Sequence, residues 1–255
     1  MAFVAALLAV GYASDPGRAR HLVAAMPEIE QALSVMGFGL EQVTVKGQRF
    51  AHASDILDAL ELKQTRSFIS FDSRSARGKL EEMPWIEKAE FRRVYPGELV
   101  VQVWEREPFA VWKSESSVTL IDKAGKVLTA VQEASAPREL PRFGGKGAAQ
   151  EAFSFWSDLG QHPKLQSNFE SATFVGGRRW DVRLTNGVVL QMPDSGMADA
   201  FRQIVQWPGF QSLVLTGDAV VDLRAKGRIA VRPANSIGAT SRGPRTIADL
   251  LKPAG

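Results

Sequence analysis

The sequence predicts an α+β protein in two parts. Residues 37–113 form a strand–helix–helix–strand–strand unit, and residues 114–233 form a β-rich domain with two helices packed on an antiparallel sheet. Three observations lead there. Apolar residues recur at helical spacing in short windows before Pro84 and at period two in the stretches after it. Turn signals at Tyr95-Pro96-Gly97-Glu98, Asp122-Lys123-Ala124-Gly125 and Thr185-Asn186-Gly187 cut those stretches into hairpins. Beyond residue 113 the strands come in pairs, with two helical segments among them.

Taken in order, residues 41–45 read as a short strand closed by Lys46-Gly47. Ser54 is a candidate N-cap, with Asp55 near the helix dipole and Ile56 and Leu60 on one face. Asp72 is a second N-cap, and Ala76, Leu80 and Met83 make one apolar stripe behind it. Pro84 stops that helix, because it lacks an N–H and disfavours helical geometry in the residue before it. Residues 88–94 alternate, with Ala89 and Phe91 sharing a face, and residues 99–104 put Leu99, Val101 and Val103 on one side. Trp85 is expected in the core beside Leu80, Phe91 and Val101.

In the second part, residues 118–121 and 126–130 form a hairpin, with Gly125 in a left-handed turn position. A helix over 148–159 carries Ala149, Phe153 and Trp156 along one face. Residues 169–175, 180–184 and 188–192 are strands, the last two joined at Asn186-Gly187. A helix bearing Met197, Phe201, Ile204 and Val205 ends at Pro208. Residues 213–215, 219–224 and 228–232 are the closing strands, and residues 234–255, rich in Pro, Gly, Ser and Ala, read as a disordered tail.

Composition narrows the chemistry. A hydrophobic fraction of 45% and a charged fraction of 23% are those of a chain that buries a core. A net charge of +3 gives no broad nucleic-acid footprint. With no cysteine there is no thiolate catalysis, thiolate metal site or disulfide. His21, His52 and His162 are not at metal-ligand spacing. Residues 1–12 are apolar and uncharged and end at Asp15, Arg18 and Arg20. As a helix they reach only about 18 Å against a hydrocarbon core of about 30 Å, so by themselves they read as a buried helix, or as a signal-peptide core that lacks a basic region before it.

Candidate catalytic groups are few. Glu105 and Glu107, two apart on a strand exit, face one side, but paired carboxylates need a cleft between them to work on a glycoside. Asp122 is one carboxylate in a turn, far short of a calcium loop. Gly144-Gly145-Lys146-Gly147 lacks the spacing of a phosphate loop and reads as a flexible connector. Arg178-Arg179-Trp180 is a cationic and aromatic cluster of the kind protein interfaces enrich, with Trp180 half-buried. No cofactor, metal or enzymatic activity is expected.

The motifs Pro84-Trp85-Ile86, Arg93, Pro96, Leu99 and Glu105-Arg106-Glu107-Pro108-Phe109-Ala110-Val111-Trp112 occur in the order and spacing of a POTRA domain. With Ile121-Asp122, Gly125, Leu140-Pro141, Trp180, Leu184, Gly187 and Val221-Asp222-Leu223-Arg224 behind them, the chain resembles the FtsQ cell-division family. The resemblance implies a single-pass inner-membrane protein, with residues 1–36 holding part of the membrane anchor and a linker, then a periplasmic POTRA domain followed by a β domain, enriched at the division septum. It implies FtsB and FtsL as partners of the β domain, and FtsK or other divisome proteins as partners of the POTRA domain. The other reading is a POTRA-type chaperone or secretion module guiding outer-membrane strands. The last strand departs from the family pattern in having no aromatic residue between Arg228 and Arg232.

The expected partner-binding element is the terminal hairpin. Alternation of Arg228, Ala230 and Arg232 against Ile229 and Val231 buries one face and leaves a cationic one outside. A last strand offers unpaired backbone groups to an incoming segment, and Arg178, Arg179 and Arg224 are placed to meet acidic side chains on it.

Overall fold

The computed structural model describes residues 39–62, 68 and 70–234. The expected anchor at residues 1–36 and the expected tail at 235–255 lie outside the described residues. The chain divides into two units between Arg106 and Glu107.

The first unit runs β1 (Gln42–Lys46), α1 (Ala53–Ala59), α2 (Ser73–Glu82), β2 (Ile86–Val94) and β3 (Glu98–Glu105). Its sheet has the order β1-β3-β2, with β3 parallel to β1 and antiparallel to β2. Leu99, Val101 and Val103 of β3 and Ala89 of β2 are buried beneath Ile56, Ala76 and Leu80 of the two helices. Asp72 caps α2, its carboxylate accepting from the N–H groups of Arg74 at 3.0 Å and Ser75 at 3.4 Å. That satisfies donors which a helix start otherwise leaves open. α1 begins two residues earlier than expected, so His52 and not Ser54 takes its N-cap position, without a side-chain cap.

Trp85 departs from its expected place. It is half-buried and stacks on Phe50 with ring centroids 4.7 Å apart, while its neighbour Ile86 takes the fully buried core position. Successive residues entering a strand point to opposite faces, so only one of the two enters the core.

The second unit opens with β4 (Ala110–Lys113), which pairs antiparallel with β5 (Val118–Ile121) and parallel with β7 (Arg142–Gly144). The boundary is therefore at residue 106, not 113, because Ala110, Val111 and Trp112 join the second sheet. The remaining elements are β6 (Val127–Ala130), α3 (Ala148–Gly160), α4 (Pro163–Gln166), β8 (Phe169–Val175), β9 (Arg179–Leu184), β10 (Val189–Gln191), α5 (Met197–Gln206), α6 (Phe210–Thr216), β11 (Ala219–Asp222) and β12 (Ala230–Pro233). They build one nine-stranded sheet, ordered β12-β11-β10-β9-β8-β7-β4-β5-β6.

Three expectations are corrected here. The sheet is mixed, since β4 with β7, β7 with β8 and β10 with β11 run parallel. Parallel neighbours need a long crossover, which the β5–β6 hairpin supplies between β4 and β7, α3 with α4 between β7 and β8, and α5 with α6 between β10 and β11, so this unit holds four α-helices among its described residues rather than two. Residues 213–215 are helical. Phe210 and Leu213 are buried one turn apart while Leu215 is 84% exposed, a helical period and not a strand's. On α3 the buried residues are Ala148, Ala149, Ala152, Phe155 and Leu159, whereas Phe153 is exposed.

The turns follow their side chains. The Asp122 carboxylate accepts from the N–H groups of Ala124 at 2.9 Å and Lys126 at 2.8 Å, closing the β5–β6 hairpin. Gly125 has φ +78°, and a Cβ there would meet the Ala149 carbonyl oxygen at 2.5 Å. The Gly144-to-Gly147 segment is an ordered corner and not a flexible connector, for Trp112 Nε1 donates to the Gly145 carbonyl at 3.0 Å.

Candidate partner-binding edge

β12 ends the large sheet, and no strand among the described residues pairs with its outer side. Its register on β11 pairs Val220 with Arg232, Val221 with Val231 and Asp222 with Ala230. The Ala234 N–H donates to the Asp218 carbonyl at 2.9 Å, which fixes the parity of the ladder. Hydrogen-bonded pairs alternate with non-bonded ones in an antiparallel ladder, so Arg232 and Ala230 turn their backbone groups toward β11. Val231 turns its N–H and C=O outward, and Pro233 occupies an outward position where no N–H is required.

Ile229 and Val231 pack partly against the core, while Arg228, Ala230 and Arg232 are exposed. The expected alternation is therefore present. Trp180 is buried more deeply than expected, at 4% exposure, and with Val182, Leu190 and Val221 lines the core side of the same strands.

The opposite face carries a polar row that the sequence reading missed. Asp181 on β9 is in register with Gln191 on β10, and Gln191 with Asp222 on β11, so three polar side chains lie side by side. Asp222 holds Arg224, accepting from its Nε at 2.9 Å and its Nη2 at 2.6 Å. The hydrogen bond from Arg224 draws the Asp222 carboxyl below its ordinary range, and the same bond raises the Arg224 guanidinium. Burial pushes Asp181 the other way, outweighing the pull of Arg179 and Arg224.

These contacts decide which of the expected arginines act together. Arg179 and Arg224 both bear on Asp181, and Arg224 and Arg232 both bear on Asp222. Arg178, in the exposed turn before β9, faces Asp194 at 3.5 Å. Arg228 stands apart in the turn before β12, its N–H bonded to the Ala225 carbonyl. Arg179 Nε, Asp181 Oδ1 and Gln191 Oε1 are buried and have no hydrogen-bond partner among the described residues. The only signal in the sequence was the period-two run Arg179, Asp181, Arg183, which lacked the register that brings Gln191 and Asp222 alongside.

A side-chain lock holds this end of the sheet. Asn186 Nδ2 donates to the carbonyls of Leu213 at 3.1 Å and Val214 at 2.8 Å, tying the β9–β10 turn to the end of α6. Gly187, at φ +87°, passes so near Asp218 that a Cβ would lie 2.7 Å from its Oδ1.

The other candidates are structural. Glu105 accepts from the N–H groups of Phe50 at 2.8 Å and Ala51 at 2.7 Å, and Glu107 lies beyond the unit boundary. Burial would raise the Glu105 carboxyl, but the backbone donors of Ala51, Arg49 and Phe50 outweigh it and hold it low. Among the described residues no group of three or more His, Cys, Asp or Glu is arranged to hold a metal ion. None of the described helices is long and apolar enough to cross a membrane.

Comparison with known proteins accords with both units. Residues 38–106 match the POTRA domain, FtsQ-type, and residues 110–224 match the family described as cell division protein FtsQ/DivIB, C-terminal. The chain is 35% identical to the cell division protein FtsQ of Rhizobium meliloti (strain 1021), over 77% of this chain and 63% of that protein. It is 30% identical to FtsQ of Caulobacter vibrioides (strain NA1000 / CB15N), over 91% of this chain and 75% of the relative. It thus spans somewhat less than two thirds of the length of the Rhizobium meliloti relative. With both domain types present in order, the chain belongs to the FtsQ/DivIB family of cell division proteins.

Proposed function

We propose that this chain is a non-enzymatic scaffold of the divisome. It is held in the inner membrane by an anchor that includes residues 1–12, with both described units in the periplasm. The β domain takes the FtsB–FtsL pair at its terminal edge, and the POTRA unit meets FtsK or other early division proteins. In this reading no nucleic acid is involved. The observation that carries the proposal is the outer side of β12, which no strand among the described residues covers and where Val231 turns its N–H and C=O outward. An acidic strand docking there meets Arg232 at once, and a segment continuing across the polar face meets Arg224 and then Arg179. Polar groups on that segment satisfy the buried atoms of Asp181, Gln191 and Arg179. The FtsQ/DivIB match of residues 110–224 favours this reading over an outer-membrane chaperone.

Capture of a purified FtsB–FtsL pair by the full chain tests it. Val231→Pro removes the outward donor and Arg179→Glu reverses a charge, and both variants should stay folded and lose the pair. Ala230→Pro is a poorer probe, because the Ala230 N–H belongs to the ladder with β11 and its loss opens the hairpin itself. Undiminished capture by both Val231→Pro and Arg179→Glu would sink the proposal.

A further inference from the structure

We propose that Asn186 is a conditional modification site. It loses its side-chain amide to the Gly187 backbone nitrogen only when the end of α6 leaves the β9–β10 turn, and the carboxylate formed there keeps that end from returning. The inference concerns the turn alone and does not depend on what binds at β12.

Asn186-Gly187 is the one Asn-Gly pair in the sequence. In an unrestrained chain such a pair is labile, because glycine has no side chain to hinder its own nitrogen. That nitrogen attacks the Asn186 Cγ. The N–Cγ bond forms and the Cγ–Nδ2 bond breaks. Nδ2 departs as ammonia, and the Gly187 amide proton passes through solvent onto it. Water then opens the cyclic imide at either carbonyl, leaving aspartate or isoaspartate. The net change is water in and ammonia out, with no oxidant or cofactor.

In the folded chain every group this reaction needs is engaged. Asn186 Nδ2 donates to the carbonyls of Leu213 at 3.1 Å and Val214 at 2.8 Å, and its Oδ1 accepts from the Val188 N–H at 3.2 Å. Two acceptors on one side and a donor on the other leave one orientation for the amide. The Gly187 N–H donates to the Leu184 carbonyl at 2.9 Å, and the Asn186 carbonyl accepts from the Asp218 N–H at 3.4 Å. Leaving group, electrophile and nucleophile are thus each held by bonds of their own.

Both bonds on the leaving group come from α6, which has only seven residues. Leu213 is buried there and Val214 packs partly against the core. So short a helix opens at lower cost than the sheet it lies on, and its opening is what exposes the amide. The product does not fit back. A carboxylate at position 186 has only acceptor oxygens, so it would face the Leu213 and Val214 carbonyls with no proton to share. Isoaspartate also adds a main-chain carbon to a turn with no room for one. A Cβ on Gly187 would lie 2.7 Å from Asp218 Oδ1, and one on Gly217 would lie 2.5 Å from the Asn186 carbonyl oxygen.

Peptide mapping by mass spectrometry reads the reaction at residues 184–202, the tryptic fragment that holds Asn186. At mildly alkaline pH the full chain should form aspartate and isoaspartate there at least about tenfold more slowly than a synthetic peptide of residues 184–192, since only the opened fraction reacts. Leu213→Ala and the milder Val214→Ala should both speed it, and Ile86→Ala in the other unit should not. In the parent chain, added urea should speed it in step with amide exchange at Gly217, whose N–H is bonded to the Leu213 carbonyl, before the β9 amides open. The aged chain, separated by ion exchange, should keep β9 protected while Gly217 exchanges fast, and Asn186→Asp should do the same. The proposal is overturned if the folded chain reacts as fast as the peptide or if the reaction follows the opening of β9 rather than of Gly217. An aged chain that protects Gly217 like the parent would overturn it too.

Discussion

The first unit builds its core mostly from aliphatic side chains, Ile56, Leu80, Ile86, Leu99, Val101 and Val103, with two buried rings, Phe68 and Phe71, among them. The second unit is centred on aromatic ones. Phe155 lies 4.8 Å from Trp180, 5.9 Å from Phe143 and 5.9 Å from Phe201, centre to centre, and Phe143 meets Trp180 edge-on at 5.6 Å. A small sheet under two short helices can be filled largely by branched residues on alternating strand positions, with Phe68 and Phe71 completing it. A nine-stranded sheet with two crossovers leaves a broader space beneath α3 and α5, and large rings in tilted contact fill it. The difference shows in how each core should respond to a hole. Rings held by other rings cannot close over a gap, whereas aliphatic side chains can move into one.

Phe155→Ala is the largest test of that contrast. It should cost about 3–5 kcal/mol, read as lost amide protection in β9 and β10, with the first unit's β3 amides unchanged. Equal loss in β3 would show that the two units unfold as one. Ile86→Ala is the matching change in the first unit and should cost about 2–3 kcal/mol, near the lower end for buried aliphatic truncation. A loss as large as that of Phe155→Ala would remove the distinction between the two cores.

Trp85 sharpens the comparison within the first unit. Its stack on Phe50, which is itself 41% exposed, lies outside the buried cluster, with the Arg49 guanidinium 4.8 Å from the Phe50 ring centre. Trp85→Ala should therefore cost only about 0.5–1.5 kcal/mol, the scale of one exposed aromatic pair, and its urea midpoint should fall far less than that of Ile86→Ala. A larger loss from Trp85→Ala than from Ile86→Ala would return Trp85 to the core.

What could be read from the sequence was whatever depends on neighbours in the chain. Asp72 announced its cap, Asp122 and Gly125 their turn, and Arg228 to Arg232 their alternation, because each signal is complete within a few residues. The family motifs carried the order of the two domains. Errors arose where a choice rests on distant residues. Whether Trp85 or Ile86 enters the core depends on the register of β2 against β3. Leu213 and Leu215 fit a strand or a helix until Phe210 is seen to be buried one turn away. The parallel pairs required knowing where the crossovers land. The row of Asp181, Gln191 and Asp222 was hidden for the same reason, since its members come from three strands and adjoin only once those strands are in register.

That row supplies the smallest test, a contrast between two carboxylates on one face. Asp222 titrates below its unfolded value of 3.8, and Asp181 titrates above it. A depressed carboxyl contributes stability that is present above about pH 3.8 and is lost as pH falls through the folded value. A raised one does the reverse. Its ionisation opposes folding, so stability declines as pH climbs from 3.8 through the folded value and stays lower above it. Both groups are half-buried and still screened by solvent, so each effect should be about 1 kcal/mol or less. At neutral pH, Asp222→Asn should be slightly less stable than the parent and Asp181→Asn slightly more stable, with both differences closing in acid. The pair is also coupled. Asp222 raises Asp181 by like charge, while Arg224, now held by Asp222, lowers it. In Asp222→Asn the repulsion is gone and the guanidinium is released, so the Asp181 carboxyl should titrate at lower pH than in the parent. Carbon-detected NMR titration of Asp181 in both chains measures that shift, and an unmoved titration would show that Asp181 answers to burial alone.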